Sequence, residues 1–237
     1  MKGWDARRWT GVVGFVWVVI QVVGVVLLLS AGSPPDFDDA EKFAAWINTN
    51  SRPLMVDAFL TAVGTLPLLG LFVGIRSIIR SAGESWEWAA TLFYGAGTTT
   101  VAILIVGGAA EATSAFVSRA GTEPTTVGAL WVATQILLTF LYFPGAVVTG
   151  VLAYVAYRSG ILPRWLAWLS GVATVLELLA GLTVFGGAGS YGPLGLLPII
   201  LGALPVFVWV VALSSVLVRR SVSPAPRPVA GEARPLA

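Results

Sequence analysis

The chain has 237 residues, of which 57% are hydrophobic and 11% charged, with a mean hydropathy of +0.86. Water-soluble domains carry nearer a quarter charged residues, so this composition is that of an integral membrane protein, and the length suits one bundle without a separate soluble domain. The net charge of +2, with scattered basic residues, argues against nucleic acid as a partner. The absence of Cys and His removes disulfides, thiolate nucleophiles, Ser-His hydrolases and HExxH proteases. Neither a metal nor a cofactor is expected, since oxygen ligands alone would have to hold a metal.

The opening, MKGWDARRWT, looks like a signal-peptide n-region. The apolar run from Gly11 to Leu29 is longer than an h-region and lacks a clear cleavage site, so it reads as a retained first span, about Thr10 to Ala31. A short surface helix is expected from Asp38 to Ile47. Asp38 or Asp39 would cap it, and Phe43, Trp46 and Ile47 would lie on lipid headgroups; a solvated loop is the competing reading. The second span runs from about Leu54 to Ile79 and the third from about Trp88 to Val117. The fourth, about Thr125 to Tyr157, is long enough to tilt or kink, with Pro144-Gly145 as the place to do so. Ile161 to Phe185 makes the fifth and about Leu194 to Val218 the sixth. Residues 221–237, rich in Pro, Ala and Arg, read as a disordered cytoplasmic tail beyond a 1–220 bundle.

The expected fold is therefore all-α, a polytopic membrane bundle of about six helices. Lys2, Arg7, Arg8, Arg76, Arg80, Arg158, Arg164, Arg219 and Arg220 fall on one side, against Lys42, Arg52 and Arg119 on the other. The positive-inside rule puts the richer side, with both termini, in the cytoplasm. The setting implied is the plasma membrane of a bacterium, with the lipid bilayer as the obligatory partner.

VGFVWVVIQ from Val13 and VGALWVATQ from Val127 share V-G-x-x-W-V-x-x-Q and open spans running in opposite directions. An inverted 3+3 repeat would give this. Only Trp17/Trp131 and Gln21/Gln135 weigh in its favour, because valine and glycine matches are cheap in so biased a sequence.

The polar residues inside the spans fall on helical stripes: Asp57, Thr61, Gly64 and Thr65; Gly97, Thr100, Leu104, Gly107 and Glu111; Gly128, Trp131, Gln135, Tyr142 and Thr149; Ser170, Thr174, Glu177 and Gly181. Stripes of small and hydroxylated residues also serve ordinary helix packing, and Gly70-x-x-x-Gly74 is such a motif. Glu177 is harder to assign to packing. A charge at that depth is disfavoured by about 2.5–3.5 kcal/mol on insertion scales, and no basic residue lies near it in sequence. With the orientation above, Asp57, Glu111, Gln135 and Glu177 all fall in the outer half of the membrane, where they would line one acidic pocket.

The run from Tyr157 to Leu169, YRSGILPRWLAWL, carries an R-x-G-x-[LI]-P-R-W-L turn. It resembles a feature of a family of bacterial multi-pass membrane proteins defined only as a domain of unknown function. The resemblance implies about six helices in the plasma membrane and brings no activity or site residues with it.

Three functions are compatible with the residues. A binding or permeation protein would hold a small hydrophobic or cationic ligand with Asp57, Glu111, Trp131, Gln135, Tyr142 and Glu177. An intramembrane enzyme would use protonated Glu177, Glu111 or Asp57 as catalytic acids on an isoprenoid-like substrate, as a terpene cyclase or isomerase does, with Trp131 and Tyr142 facing a carbocation. A structural or regulatory partner would use the stripes only to bind other helices.

Overall fold

In a computed structural model of the chain, residues 6–32, 35, 39–186, 192 and 195–219 are described. The expected tail, 221–237, lies outside them. Helix α1 (Ala6–Ser30) presents Thr10, Gly11, Gly14, Trp17 and Gly24 inward, while most of its valines face outward. Helix α2 (Ala40–Thr49) starts at Asp39, whose carboxylate accepts the Lys42 N–H at 3.0 Å. Then come α3 (Ser51–Arg80), α4 (Glu87–Arg119), α5 (Pro124–Phe140), α6 (Tyr142–Ser159) and α7 (Arg164–Leu182). A short α8 (Leu196–Pro198) passes through a π-helical turn, Ile199–Ala203, into α9 (Leu204–Arg219).

Six of these helical segments are long and apolar enough to cross a membrane: Ala6–Ser30, Ser51–Arg80, Glu84–Arg119, Pro124–Ser159, Arg164–Phe185 and Ile199–Arg219. No strand occurs among the described residues. The fold is an all-α bundle of the multi-pass membrane kind.

The fourth span breaks at Leu141, between α5 and α6. Pro144 cannot donate to the Phe140 carbonyl and its ring crowds that group, so the helix interrupts one turn before the proline. Pro205 removes the corresponding donor to Leu201 and accompanies the π-helical turn. Gly160 ends α6 with φ 68°, a left-handed conformation suited to glycine, and Pro163 precedes the first turn of α7. The fifth span therefore starts at Arg164 rather than Ile161.

Gly70-x-x-x-Gly74 is a packing motif: a Cβ on Gly70 would meet Val13 at 3.6 Å, and Gly74 receives Thr10 of α1. The main core gathers Trp17, Leu71, Phe72, Ile75, Phe93, Leu152, Leu166, Trp209 and Leu213. It lies toward the end of the bundle where Arg80, Arg158, Arg164 and Arg219 close or open their helices. Tyr154, Tyr157, Trp165 and Trp168 are exposed at that end, as an aromatic belt requires.

The opposite end carries a second cluster. Phe43 and Ile47 of α2 are buried against Leu54, Ala115, Val127 and Trp131. The α2 face expected on lipid headgroups is thus turned into the bundle. Periodicity identified the apolar face, but only the hydrophobic ends of α4 and α5 decided what it covers. Trp46 fixes the docking by donating its indole N–H to the Ala31 carbonyl at 3.2 Å.

The two copies of V-G-x-x-W-V-x-x-Q have different surroundings. Trp17 stacks on Phe207 of α9, with centroids 5.3 Å apart, whereas Trp131 meets Phe43 and Trp46 of α2.

Candidate functional site

Helix α7 buries Ser170, Ala173, Glu177, Ala180 and Gly181 on one face. Glu177 is 2% exposed, and its carboxyl occupies the space left by Gly145 of α6, where any Cβ would collide with Oε1. Thr149, one turn further along α6, donates its hydroxyl to Glu177 Oε2 at 2.7 Å. Thr174 Oγ1 stands 3.0 Å from Thr149 Oγ1 and 2.9 Å from the Ser170 carbonyl, which it can serve as donor. Ser170 Oγ accepts the Trp209 indole N–H at 2.8 Å. One polar chain thereby ties α6, α7 and α9 together through an otherwise apolar interior.

Tyr142 opens α6 and donates its hydroxyl to the Pro198 carbonyl at 3.0 Å, while its ring lies over Gly202. The phenol is close enough to Glu177 to interact with it electrostatically. The two irregular segments, at Leu141 and at Ile199–Ala203, therefore meet beside the buried acid.

Asp57 and Glu111 form a separate pair. Asp57 is partly buried on α3, with its Oδ1 against Gly24 of α1. The Ala58 carbonyl approaches Gly108 of α4 so closely that a Cβ there would stand 3.1 Å away. Glu111, 6% exposed, lies one turn beyond and interacts electrostatically with Asp57. Among the described residues, neither acid forms an ion pair; the pairs join Lys42 to Asp39, and Arg76 and Arg80 to Glu87. Neither Arg52 nor Arg119 forms an ion pair among the described residues.

Among the described residues, no hydrogen bond or electrostatic interaction joins Glu177 to Asp57 or Glu111. Gly107 of α4 abuts Leu138, and Trp86 and Trp88 flank Tyr154. Glu177 is near mid-span and Glu111 near the opposite end. The structure brings Asp57 to Glu111 and Glu177 to Thr149, and the cavities described below join neither group: helical spacing gives the angle of each side chain, but not its neighbour.

Trp131 is 5% exposed in the α2 cluster, 6.3 Å from Phe43 and 6.0 Å from Trp46 by ring centroids. Gln135, one turn along, is partly buried, and its backbone carbonyl accepts from Thr139 at 2.8 Å. Neither side chain hydrogen-bonds to an acid among the described residues. The Ser170–Trp209 bond and the Pro198 acceptor were beyond sequence reasoning, since both join residues far apart in the chain. Trp17 Nε1, Gln21 Nε2 and Ser214 Oγ are buried without a protein partner among the described residues. The first two share the face of α1 that bears Gly14 and Gly24, a spacing visible in the sequence.

A cavity of about 460 Å³ lies at the arginine end, lined by Pro163, Trp165, Ala212, Ser215, Val216 and Arg219. An apolar one of about 290 Å³ lies on α1. Neither touches an acid. No group of three Asp, Glu, His or Cys side chains able to hold a metal occurs among the described residues. No protein-family model matches the chain, and neither a curated protein nor a solved structure is significantly similar to it.

Proposed function

We propose that the chain is a multi-pass plasma-membrane protein that binds and moves a small cation or cationic molecule through the bundle, with Glu177 as the group that recognises the charge. The observation that carries this reading is the setting of Glu177: buried near mid-span, held by the Thr149 hydroxyl, and flanked by two interrupted helices. Buried acids in spanning segments mark ion pathways and proton relays, and interrupted helices frame the midplane sites of transporters. The arginine asymmetry supports cytoplasmic termini. The turn from Arg158 to Leu166 supports membership of the bacterial family of unknown function that it resembles. The enzyme reading loses support because Trp131, one of its two aromatic walls, packs on α2 rather than near Glu177.

Purified protein in proteoliposomes tests the proposal, with a pH-sensitive dye and a panel of labelled inorganic and organic cations. Parent protein is expected to give uptake or proton movement, and Glu177→Gln to abolish it. Equal flux through parent and E177Q would reject Glu177 as the recognising group.

A further inference from the structure

The Trp209–Ser170 hydrogen bond fastens α9 to α7 near mid-length. Closer to the arginine end, the same two helices leave the cavity of about 460 Å³ between Pro163 and Trp165 on one side and Ala212, Ser215, Val216 and Arg219 on the other. We propose that this cavity binds the phosphate of an anionic phospholipid, whose acyl chains lie along the seam between α7 and α9.

The chemistry of the lining selects that occupant. Arg219 supplies a guanidinium whose planar fork matches phosphate oxygens. The first turn of α7 contains no acid and has no side-chain cap, and Pro163 and Trp165 at its start line the cavity, so the positive end of the helix adds to the local field that favours an anion. Ser215 Oγ gives its proton to the Val211 carbonyl at 2.7 Å, which leaves Arg219 as the charged donor of the lining. Trp165, half exposed, has the amphipathic ring that favours headgroup depth.

Charge complementarity extends beyond the lining. Arg158 and Arg164 flank the cavity in sequence and at their helix ends, whereas Glu87 is engaged by Arg80 at 2.6 Å and lies near Arg76 at 3.8 Å. The walls below, Ala212 and Val216, continue into the exposed Val208, Val211, Trp168 and Val172. A free phosphate would use only the upper part; an amphiphile uses both.

Native mass spectrometry of the detergent-purified protein, offered equal amounts of phosphatidylglycerol and phosphatidylcholine, reads this out. Parent protein is expected to retain phosphatidylglycerol selectively. Arg219→Gln should lower that retention about fivefold, the worth of one basic residue at an anionic surface. Ser215→Glu should lower it through like-charge repulsion without removing the arginine, which keeps the test valid if R219Q fails to fold. Arg52→Gln, at the opposite end, should change nothing. Equal retention of the two lipids, or parent-like retention by both R219Q and S215E, would overturn the proposal. So would release of the lipid by millimolar inorganic phosphate, which would mark a free-phosphate site instead.

Discussion

Replacing Thr149 with valine removes a hydroxyl at almost constant volume and so isolates its bond to Glu177. Thr149 is 1% exposed and Glu177 2%. The Thr149–Glu177 distance of 2.7 Å is shorter than the 3.2 and 3.3 Å from Thr149 Oγ1 to the Gly145 and Ala146 carbonyls, so Thr149 donates its proton chiefly to the Glu177 oxygen. Stranding a buried acceptor costs about 1–3 kcal/mol, and Thr149→Val should destabilise the bundle by that amount. Glu177→Met should be neutral or stabilising, because it also removes the cost of desolvating the acid. The pair forms a double-mutant cycle, measured by reversible unfolding in mixed micelles of rising dodecyl sulfate content. Hydrogen bonds between membrane helices average about 0.6 kcal/mol in such cycles, whereas bonds to an ionised group reach about 1.5–3 kcal/mol. A coupling in the upper range identifies a carboxylate, and one near the average identifies a neutral acid. A coupling indistinguishable from zero would refute the geometry on which the site rests.

Other perturbations reach other parts of the fold. A Cβ on Gly11 would stand 2.7 Å from the Ser214 carbonyl oxygen and from Val218 Cγ2, so Gly11→Leu should push α1 from α9 and cost about 1–3 kcal/mol; Gly171→Ala, which meets nothing, should stabilise slightly in the same unfolding assay. Trp131→Ala should cost about 3–5 kcal/mol and speed hydrogen exchange in α2 more than in α7, because Phe43 and Trp46 lose their common partner; uniform acceleration would count against that docking. Asp39 is held below its ordinary value of 3.8, first by its side-chain hydrogen bond with Lys42, and Lys42 is raised above 10.5 by the same bond. The Asp39 contribution is therefore complete above pH 3.8 and lost as pH falls through its lowered value, and that of Lys42 is complete below pH 10.5 and lost as pH rises through its raised value. Protection of the α2 amides should be flat between those limits, and a transition near pH 6 would contradict this assignment.

Composition and periodicity alone determined that the chain is a helical membrane bundle, roughly where its spans run and that Pro144 is where the fourth could kink. These follow from local physics: backbone groups in lipid must bond within the segment, and a proline ring excludes its own helical bond. The same local rules placed Glu177, Thr149 and Thr174 on polar stripes and identified Asp39 as one of two caps for α2.

Which elements those stripes meet was a tertiary matter. Phe43 and Ile47 have the same spacing whether they face lipid or protein, and only the contact with Val127 and Trp131 turned α2 inward. Asp57, Glu111 and Glu177 share a polar character and all fall in the outer half of their spans. Yet α4 runs 33 residues and α7 only 19, so equal fractions of a helix are unequal depths. The close approach of Ala58 to Gly108 joined Asp57 to Glu111, while the space at Gly145 drew Glu177 to Thr149. A sequence fixes the angle at which each side chain leaves its helix; the offset of one packed helix along another is set by the sum of all their contacts, and that sum separated the acids.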